Sequence, residues 1–215
     1  MSLTVWGRLN SINVQKVMWA LDEIGLAYQH VPAGGDFGGL DTPAFRAMNP
    51  HGHVPVIDDG GVVVWESGAI LRHLCAEHSA GVLWPLAPAA RAQADQWMDW
   101  CQTALQPNLM GFFWGWYRMP EPLRDANRNA QLLAGAHADF AALDAMLAHS
   151  DYLAGDQLTM GDIPAGALLY RYFEMDIASP DLPRLRAWYD RLAQRPAYRL
   201  RIMRPFDELR ARLAH

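Results

Sequence analysis

The sequence predicts a protein of two domains, an α/β domain followed by an all-helical domain. Its first part holds short apolar runs in the order strand, helix, strand and then strand, strand, helix. A stretch with prolines and a glycine, residues 79–90, shows no periodicity. The main apolar patterns after it have helical spacing. We therefore place the α/β domain at residues 1–78, a linker at 79–90 and the helical domain at 91–215.

The first elements are predicted to form a β-α-β unit. Residues 3–6 favour a strand, and residues 14–24 favour a helix that ends at Gly25. Residues 27–31 favour a second strand, and the length of the connection suits a parallel pair. The next stretch, residues 34–48, is predicted to be a loop with one irregular turn.

A β-hairpin followed at once by a helix is predicted next. Residues 54–57 and 62–65 are apolar and flank an Asp-Gly turn, which is typical of a hairpin. Glu66 and Ser67 then open a helix with apolar residues at helical spacing. The α/β domain therefore closes near His78.

The second domain is predicted to be a set of helices. A long helix rich in tryptophan covers residues 91–117, and further helices fall in residues 132–147, 158–172 and 182–192. A short helix and a tail complete the chain. Thr159 and Asp162 have capping-box spacing, so we assign Asp162 a role in folding rather than in catalysis.

Composition and charge exclude several classes of protein. A net charge of −5 and a pI near 5.9 argue against nucleic acid as the main partner. Because no run of about 18 apolar residues exists and the chain starts with a strand-like segment, we expect neither a membrane span nor a signal peptide. Cys75 and Cys101 fit neither a disulfide scaffold nor a metal knuckle, so we expect a reducing cytoplasm.

The unit formed by the hairpin and its helix offers a binding site for an amino acid head group. A helix N-terminus presents unpaired N–H groups that suit a carboxylate, Ser67 adds a donor, and Glu66 can bind an ammonium group. Pro55 cannot donate to a strand ladder, so the backbone of Val54 stays available for an extended ligand. A cis Val54–Pro55 bond would turn these groups outward, and the sequence leaves the isomer open.

These motifs resemble the glutathione-binding half of the thioredoxin-like domain in cytosolic glutathione transferases. The β-α-β then β-β-α order has the same thioredoxin-like layout, and the resemblance extends over nearly the whole chain. It implies that Val54 and Pro55 pair with the cysteinyl backbone of glutathione, and that Glu66 and Ser67 bind its γ-glutamyl end. The resemblance further implies a cytoplasmic homodimer with glutathione as co-substrate.

The loop at residues 8–13 must supply the group that activates the glutathione thiol. The first cysteine is Cys75 and the first tyrosine is Tyr28, so Ser11 is the available hydroxyl. It resembles the catalytic serine of the theta- and delta-like classes. Lowering a thiol pKa of about 8.5 by about 2 units requires roughly 2.7 kcal/mol. A hydroxyl hydrogen bond supplies about 1.5–3 kcal/mol and a helix N-terminus about 0.3–2 kcal/mol, so no general base is needed.

Other residues of this loop are alternatives to Ser11. Asn13 lies where certain bacterial transferases active as disulfide reductases would place a second donor, although it could simply cap the helix or turn. Asn10 and Arg8 are further candidates for the thiol contact. The stretch from Trp6 to Val17 most resembles a bacterial subgroup that dehalogenates haloacids with glutathione, which makes Arg8 a candidate anchor for the carboxylate of the electrophile.

The resemblance assigns roles to residues outside this loop as well. His53 corresponds to a contact of the glycyl carboxylate of glutathione. Trp114 or Tyr117 is expected to line the electrophile site, and Asp99 to reach the glutathione amino group, in some relatives across a dimer interface. We expect no metal, because the His51-x-His53 pair lacks a third ligand at a suggestive distance.

The expected function is therefore that of a glutathione transferase acting on a small electrophile, with a haloacid as one candidate substrate and detoxification by dehalogenation as the outcome. One alternative is a glutathione-dependent disulfide reductase that uses Ser11 and Asn13. Another is a protein that binds glutathione or another ligand without catalysis. The sequence does not identify the electrophile.

Overall fold

The predicted fold class is confirmed by the computed structural model, which describes residues 3–213. The strands are β1 (Leu3–Trp6), β2 (Tyr28–Val31), β3 (Val56–Asp59) and β4 (Val62–Trp65). The helices of the α/β domain are α1 (Ile12–Ile24), α2 (Pro43–Met48) and α3 (Ser67–His78). The helical domain contains α4 (Pro88–Trp100), α5 (Gln106–Phe112), α6 (Ala126–Met146), α7 (Asp162–Glu174), α8 (Pro183–Ala193) and α9 (Pro196–Arg201). Among residues 3–213, no helix has the length and apolarity that crossing a membrane requires.

The sheet has the strand order β2-β1-β3-β4. As predicted, β1 runs parallel to β2, and β3 and β4 form an antiparallel hairpin. Asp59 still belongs to β3 and pairs with Val62, so Gly60 and Gly61 rather than the predicted Asp-Gly pair form the two-residue turn. Their φ values are 63° and 101°, a conformation that glycine adopts at little cost. β3 begins at Val56, two residues later than predicted, because Pro55 has no N–H group to donate to a ladder.

Helix α1 packs against both domains. Val14, Val17 and Leu21 belong to the core of the α/β domain, together with residues of the sheet and α3. Trp19 and Ala20, on another face, belong to the larger core of the helical domain. The N–H of Gly25, which has a left-handed φ of 78°, bonds to the carbonyls near the end of the helix and stops it as predicted.

Several element boundaries differ from the prediction for local reasons. The predicted loop at residues 34–48 contains α2, which is too short to show periodicity, and Thr42 caps it by accepting a hydrogen bond from the N–H of Phe45. α4 begins at Pro88, inside the predicted linker, because proline suits the first turn of a helix. The long helix is interrupted by π-helical segments at Cys101–Leu105 and Phe113–Arg118.

The capping box at Thr159 lies one turn before α7 and is buried. The Asp162 carboxylate accepts hydrogen bonds from the N–H of Leu153 at 2.8 Å and from the N–H of Thr159 at 2.9 Å. The Thr159 hydroxyl donates to the same carboxylate at 3.1 Å. α7 therefore begins at Asp162 rather than at Leu158, and Asp162 joins the preceding loop to the helix.

Candidate active site

A cavity of about 1070 Å³ lies between the two domains. The α/β domain contributes residues 8–13, the loop around Pro55, and Glu66 and Ser67 at the start of α3. The helical domain contributes side chains from α5, the π-helical segment after it, α7 and residues 204–212. Of the residues that the sequence analysis assigns to the site, all but Asp99 and Tyr117 line this cavity.

Ser11 occupies the N-cap position of α1. Its backbone is extended, its N–H donates to the carbonyl of Arg8, and its own carbonyl accepts from the N–H of Gln15. Its hydroxyl makes no capping hydrogen bond to the first turn of the helix. A half-buried hydroxyl therefore lies at a helix N-terminus, where both the hydroxyl and the helix dipole favour an anion.

Asn13 is held by the only lysine of the chain. Lys16 is 1% exposed, and its ammonium group donates to Oδ1 of Asn13 at 3.1 Å and to Oε1 of Gln106. Burial lowers the pKa of Lys16. Because Oδ1 of Asn13 accepts from Lys16, the amide NH₂ of Asn13 remains as its donor toward the cavity.

The loop before β3 presents its backbone to the cavity. The Val54–Pro55 peptide bond is cis, so the structure resolves the isomer that the sequence left open. Asn49 donates from Nδ2 to the carbonyl of His53 at 2.9 Å and so supports the loop from behind. Within residues 3–213, no hydrogen bond occupies the backbone of Val54. The exposed His53 side chain lies at the rim.

Glu66 and Ser67 meet the cavity at the start of α3. Glu66 is the N-cap residue and has φ 68° and ψ 120°, a sparsely populated conformation that costs a residue other than glycine about 1–3 kcal/mol. Ser67 is buried at 4% exposure. Strained residues of this kind concentrate at ligand-binding positions, and here the strain directs an exposed carboxylate and a helix N-terminus to the same place.

Five arginines line the cavity, and three of them come from different elements and lie close enough to influence one another's pKa. Arg8 comes from the loop before α1, Arg118 from the π-helical segment and Arg171 from α7. Burial, with smaller contributions from Arg118 and Arg8, lowers the pKa of Arg171 to about 10. In the described part of the chain, neither Arg8 nor Arg171 forms a salt bridge. This region of the cavity therefore carries a net positive charge, which the carboxylate of Glu208 offsets in part.

Arg171 also connects the helical domain to the loop that carries Ser11. Its Nη2 donates to the carbonyl of Asn10 at 2.7 Å, and its guanidinium lies over the ring of Phe113, with Cζ 4.8 Å from the centroid. Asn10 Nδ2 in turn donates to Oε1 of Glu208 at 3.1 Å. These contacts hold Asn10 to the helical domain, so Asn10 is better suited to fixing the loop than to contacting a thiol.

Two predicted site residues lie elsewhere. Tyr117 was expected at the electrophile site, but it is 2% exposed and stacks on Phe113, with ring centroids 5.1 Å apart. The π-helical segment changes the angular spacing of these residues, which places Trp114 at the cavity and Tyr117 in the core. Asp99 lies on the surface and accepts a hydrogen bond from Arg72.

Comparison with known proteins agrees with this geometry. Residues 1–76 match the family described as glutathione S-transferase, N-terminal domain, and residues 105–196 match the family described as glutathione S-transferase, C-terminal domain. The chain is 38% identical to glutathione S-transferase GstB of Escherichia coli K12 over 205 residues, which cover 94% of this chain and 99% of GstB. The chain belongs to the glutathione S-transferase family.

Solved structures extend the comparison. A theta class glutathione S-transferase from Xanthomonas axonopodis pv. citri, solved with glutathione bound, has a TM-score of 0.90 and 48% sequence identity, and the match covers 95% of this chain and 98% of that one. A glutathione S-transferase from Pseudomonas fluorescens has a TM-score of 0.79 and 27% identity, with 92% and 97% covered. The resemblance to a theta-like transferase is therefore confirmed.

Arg171 and Arg118 line the cavity of this transferase but were not among the residues predicted from the sequence. Arg171 lies in α7, whose other residues from Ile163 to Tyr172 are almost all apolar or small. A single arginine in an otherwise apolar helix is a signal that could have identified it, because a buried charge needs a specific environment. Arg118 follows a row of aromatic residues and offers no comparable signal.

Proposed function

We propose that the protein binds glutathione and uses its thiolate to attack a small electrophile. The observation that carries this proposal is the presence of Ser11 at the N-terminus of α1 in the same cavity as the Val54–Pro55 loop and the start of α3. In the proposed complex the backbone of Val54 pairs with the extended tripeptide. Glu66 binds its ammonium group, while Ser67 and the N-terminus of α3 bind its α-carboxylate.

The proposed activation of the thiol needs no general base. Lowering a thiol pKa by about 2 units corresponds to roughly 2.7 kcal/mol, within reach of one hydroxyl donor and a helix N-terminus. Ser11 stays protonated and donates to the sulfur. Asn13, whose NH₂ group is left to face the cavity by its bond to Lys16, is the second donor. The glutathione bound to the Xanthomonas relative supports the choice of ligand.

The first test is the ultraviolet thiolate absorbance of bound glutathione as a function of pH. We expect wild type to show a thiol pKa well below that of free glutathione, and Ser11→Ala to raise it by about 1–2 units. Asn13→Ala should raise it by less. A raised value in Asn13→Ala alone would make Asn13 the principal donor and favour the disulfide reductase alternative. An unperturbed thiol in wild type would favour a non-catalytic binding protein.

We propose further that the electrophile is a small anion such as a haloacid. The supporting observation is the cluster of Arg8, Arg118 and Arg171, which act on one another electrostatically and share the cavity with Ser11. In the proposed reaction the thiolate attacks the halogen-bearing carbon. A carbon–sulfur bond forms, the carbon–halogen bond breaks, and the halide leaves with its electron pair. The carboxylate of the acid lies against the arginines.

A matched pair of substrates tests the charge requirement. Haloacetate and haloacetamide have the same carbon and leaving group but differ in charge. We expect Arg8→Gln to lower kcat/KM for haloacetate by about 10–100-fold, since a charge-assisted hydrogen bond contributes about 1.5–3 kcal/mol. The value for haloacetamide should change little. An equal loss for both substrates would mean that Arg8 serves glutathione or the fold rather than the electrophile.

The proposal includes a cytoplasmic homodimer. β4 is an edge strand of the sheet, and its Val62 and Val63 are 52% and 41% exposed, which supports an apolar contact with a second chain. In such a dimer, Asp99 could reach the glutathione that is bound to the partner subunit.

Two measurements test these proposals. Sedimentation equilibrium tests whether the protein is a dimer, and a loss of affinity for glutathione in Asp99→Asn tests the contact. The free, buried Cys75 and Cys101 agree with a reducing compartment.

A further inference from the structure

Two histidines and an aspartate converge outside the cavity, at the opposite end of α3 from Glu66 and Ser67. Asp59 is the last residue of β3, and His73 and His78 lie in the second half of α3. Nε2 of His73 is 2.9 Å from Oδ2 of Asp59, and Nε2 of His78 is 2.7 Å from the same oxygen. None of the three residues lines the active-site cavity.

The donor set suits a divalent transition metal. Two imidazole nitrogens and one carboxylate oxygen are typical ligands of Zn²⁺. Their ligand atoms all lie within 4.8 Å of one another, and no other group of three such residues in the described chain comes as close. We propose that Asp59, His73 and His78 bind Zn²⁺, with a water molecule as the fourth ligand.

Small side-chain movements would admit the ion. Zinc bonds of about 2.0–2.1 Å place tetrahedral ligand atoms roughly 3.3–3.4 Å apart. The observed nitrogen–oxygen distances of 2.7 and 2.9 Å therefore need to grow by about half an ångström, and the two imidazole nitrogens, which lie within 4.8 Å of each other, need to reach the same spacing. The side chains of His73 and His78 are 24% and 26% exposed and that of Asp59 is 10% exposed, so an ion has access to a largely formed site.

The site would tie α3 to the end of β3. Without metal, the histidines can donate from their Nε2 atoms to Asp59, which makes a weaker connection between the same elements. Because α3 carries Glu66 and Ser67 at its other end, the bound ion would stabilise the helix that holds the glutathione site. The role is structural, and no step of the transferase reaction passes through the ion.

Equilibrium dialysis of the full chain against ZnCl₂, followed by metal analysis, tests the proposal. We expect one zinc per chain and a rise in the thermal unfolding temperature on adding ZnCl₂. CoCl₂ should give the intense visible absorption of tetrahedral cobalt. His73→Asn and Asp59→Asn should each weaken zinc binding by more than the roughly 10–100-fold that loss of a second-shell partner costs.

Two further variants separate ligation from folding. His78→Cys exchanges one zinc ligand for another, so it should keep the metal while His78→Asn loses it. His51→Asn is the control for the other candidate pair of histidines, His51-x-His53, and should bind zinc as wild type does. The proposal is overturned if wild type binds no zinc and forms no tetrahedral cobalt complex. It is equally overturned if His51→Asn, rather than the variants of Asp59 and His73, removes the metal.

Discussion

Lys16 does not line the cavity, but it holds Asn13, a residue that does. It lies one turn after Asn13 in α1, and its ammonium group donates a hydrogen bond to Oδ1 of the Asn13 amide, which fixes the orientation of that amide. Gln106 of α5 accepts from the same ammonium group, so a residue of the helical domain contributes to the orientation. A buried ammonium group is costly, which suggests that its value lies in positioning rather than in stability.

Lys16→Met should therefore separate activity from stability. Methionine has a similar shape and removes the buried charge, so the free energy of unfolding should stay the same or rise. Transferase kcat/KM should fall by about 3–10-fold, because the Asn13 amide loses the partner that orients it. Chemical denaturation and steady-state kinetics with glutathione measure the two quantities.

A double-mutant cycle identifies the route of this effect. In an Asn13→Ala background, Lys16→Met should lower kcat/KM little further, because the positioned group is already absent. The same loss in both backgrounds would show that Lys16 acts on the reaction through something other than Asn13.

At the level of single residues, the sequence predicted those parts of the site that depend on local order. Pro55, Glu66 and Ser67 follow one another through a hairpin and a helix start, and all three line the cavity. The contact of Arg171 with Asn10 joins residues 161 positions apart, and no local pattern encodes it. Tyr117 was assigned to the electrophile site from the family resemblance, but it is buried in the core because a π-helical segment sets the angular spacing of Phe113–Arg118.

At the level of elements, α7 is organised around one buried carboxylate. Asp162 is fully buried, and burial raises its pKa from the ordinary value of 3.8 to about 6, although hydrogen bonds from Leu153 and Thr159 act in the opposite direction. Asp162 thus connects the start of α7 to the loop before it, and it does so with a group that titrates near physiological pH.

The raised pKa predicts a specific pH dependence of stability. Between about pH 4 and pH 6 the folded state keeps a proton on Asp162 that the unfolded chain has lost, so the free energy of unfolding falls as the pH rises. The stabilisation that protonated Asp162 adds to the folded state is complete below pH 4 and absent well above pH 6. Its size is about 3 kcal/mol, since one pKa unit corresponds to about 1.4 kcal/mol.

Asp162→Asn provides the reference, because asparagine does not titrate. Urea denaturation of both proteins from pH 4 to pH 7 should show the advantage of wild type over the variant shrinking as the pH rises. A difference that stays constant would mean that burial and the hydrogen bonds cancel in their effect on the pKa of Asp162. A difference that grows with pH would mean that the hydrogen bonds dominate.

The sequence predicted the elements with strong periodicity better than the short ones. The hairpin and α1 carry their signals within about a dozen residues, although the turn of the hairpin lies one residue later than the predicted Asp-Gly pair. α2 spans only six residues and has no such signal. The start of α7 shifted to Asp162 because the capping box closes a separate turn, which spacing alone does not distinguish from the first turn of a helix.

At the level of the whole molecule, α1 couples the two domains. Glu23 accepts two hydrogen bonds from Arg195, at 2.8 and 2.7 Å, and a third from the indole of Trp19 at 2.9 Å. Asp22 accepts from Arg201 of α9 at 2.6 Å. Trp19 packs edge-on against Tyr198 with centroids 4.9 Å apart. An element shared in this way cannot leave one core without disturbing the other.

We therefore predict that the two domains unfold in a single cooperative transition. Calorimetry should give one peak, with equal calorimetric and van't Hoff enthalpies when each is expressed per cooperative unit. Glu23→Gln should lower the midpoint temperature of that peak without splitting it. The free energy of unfolding should fall by about 1–3 kcal/mol, because the ion pair between the largely buried Glu23 carboxylate and Arg195 is lost. Asp151→Asn removes the more exposed ion pair with Arg191 and should cost less than about 1 kcal/mol. Two separate peaks in wild type would show that α1 belongs to the α/β domain alone and that the interface is only a docking contact.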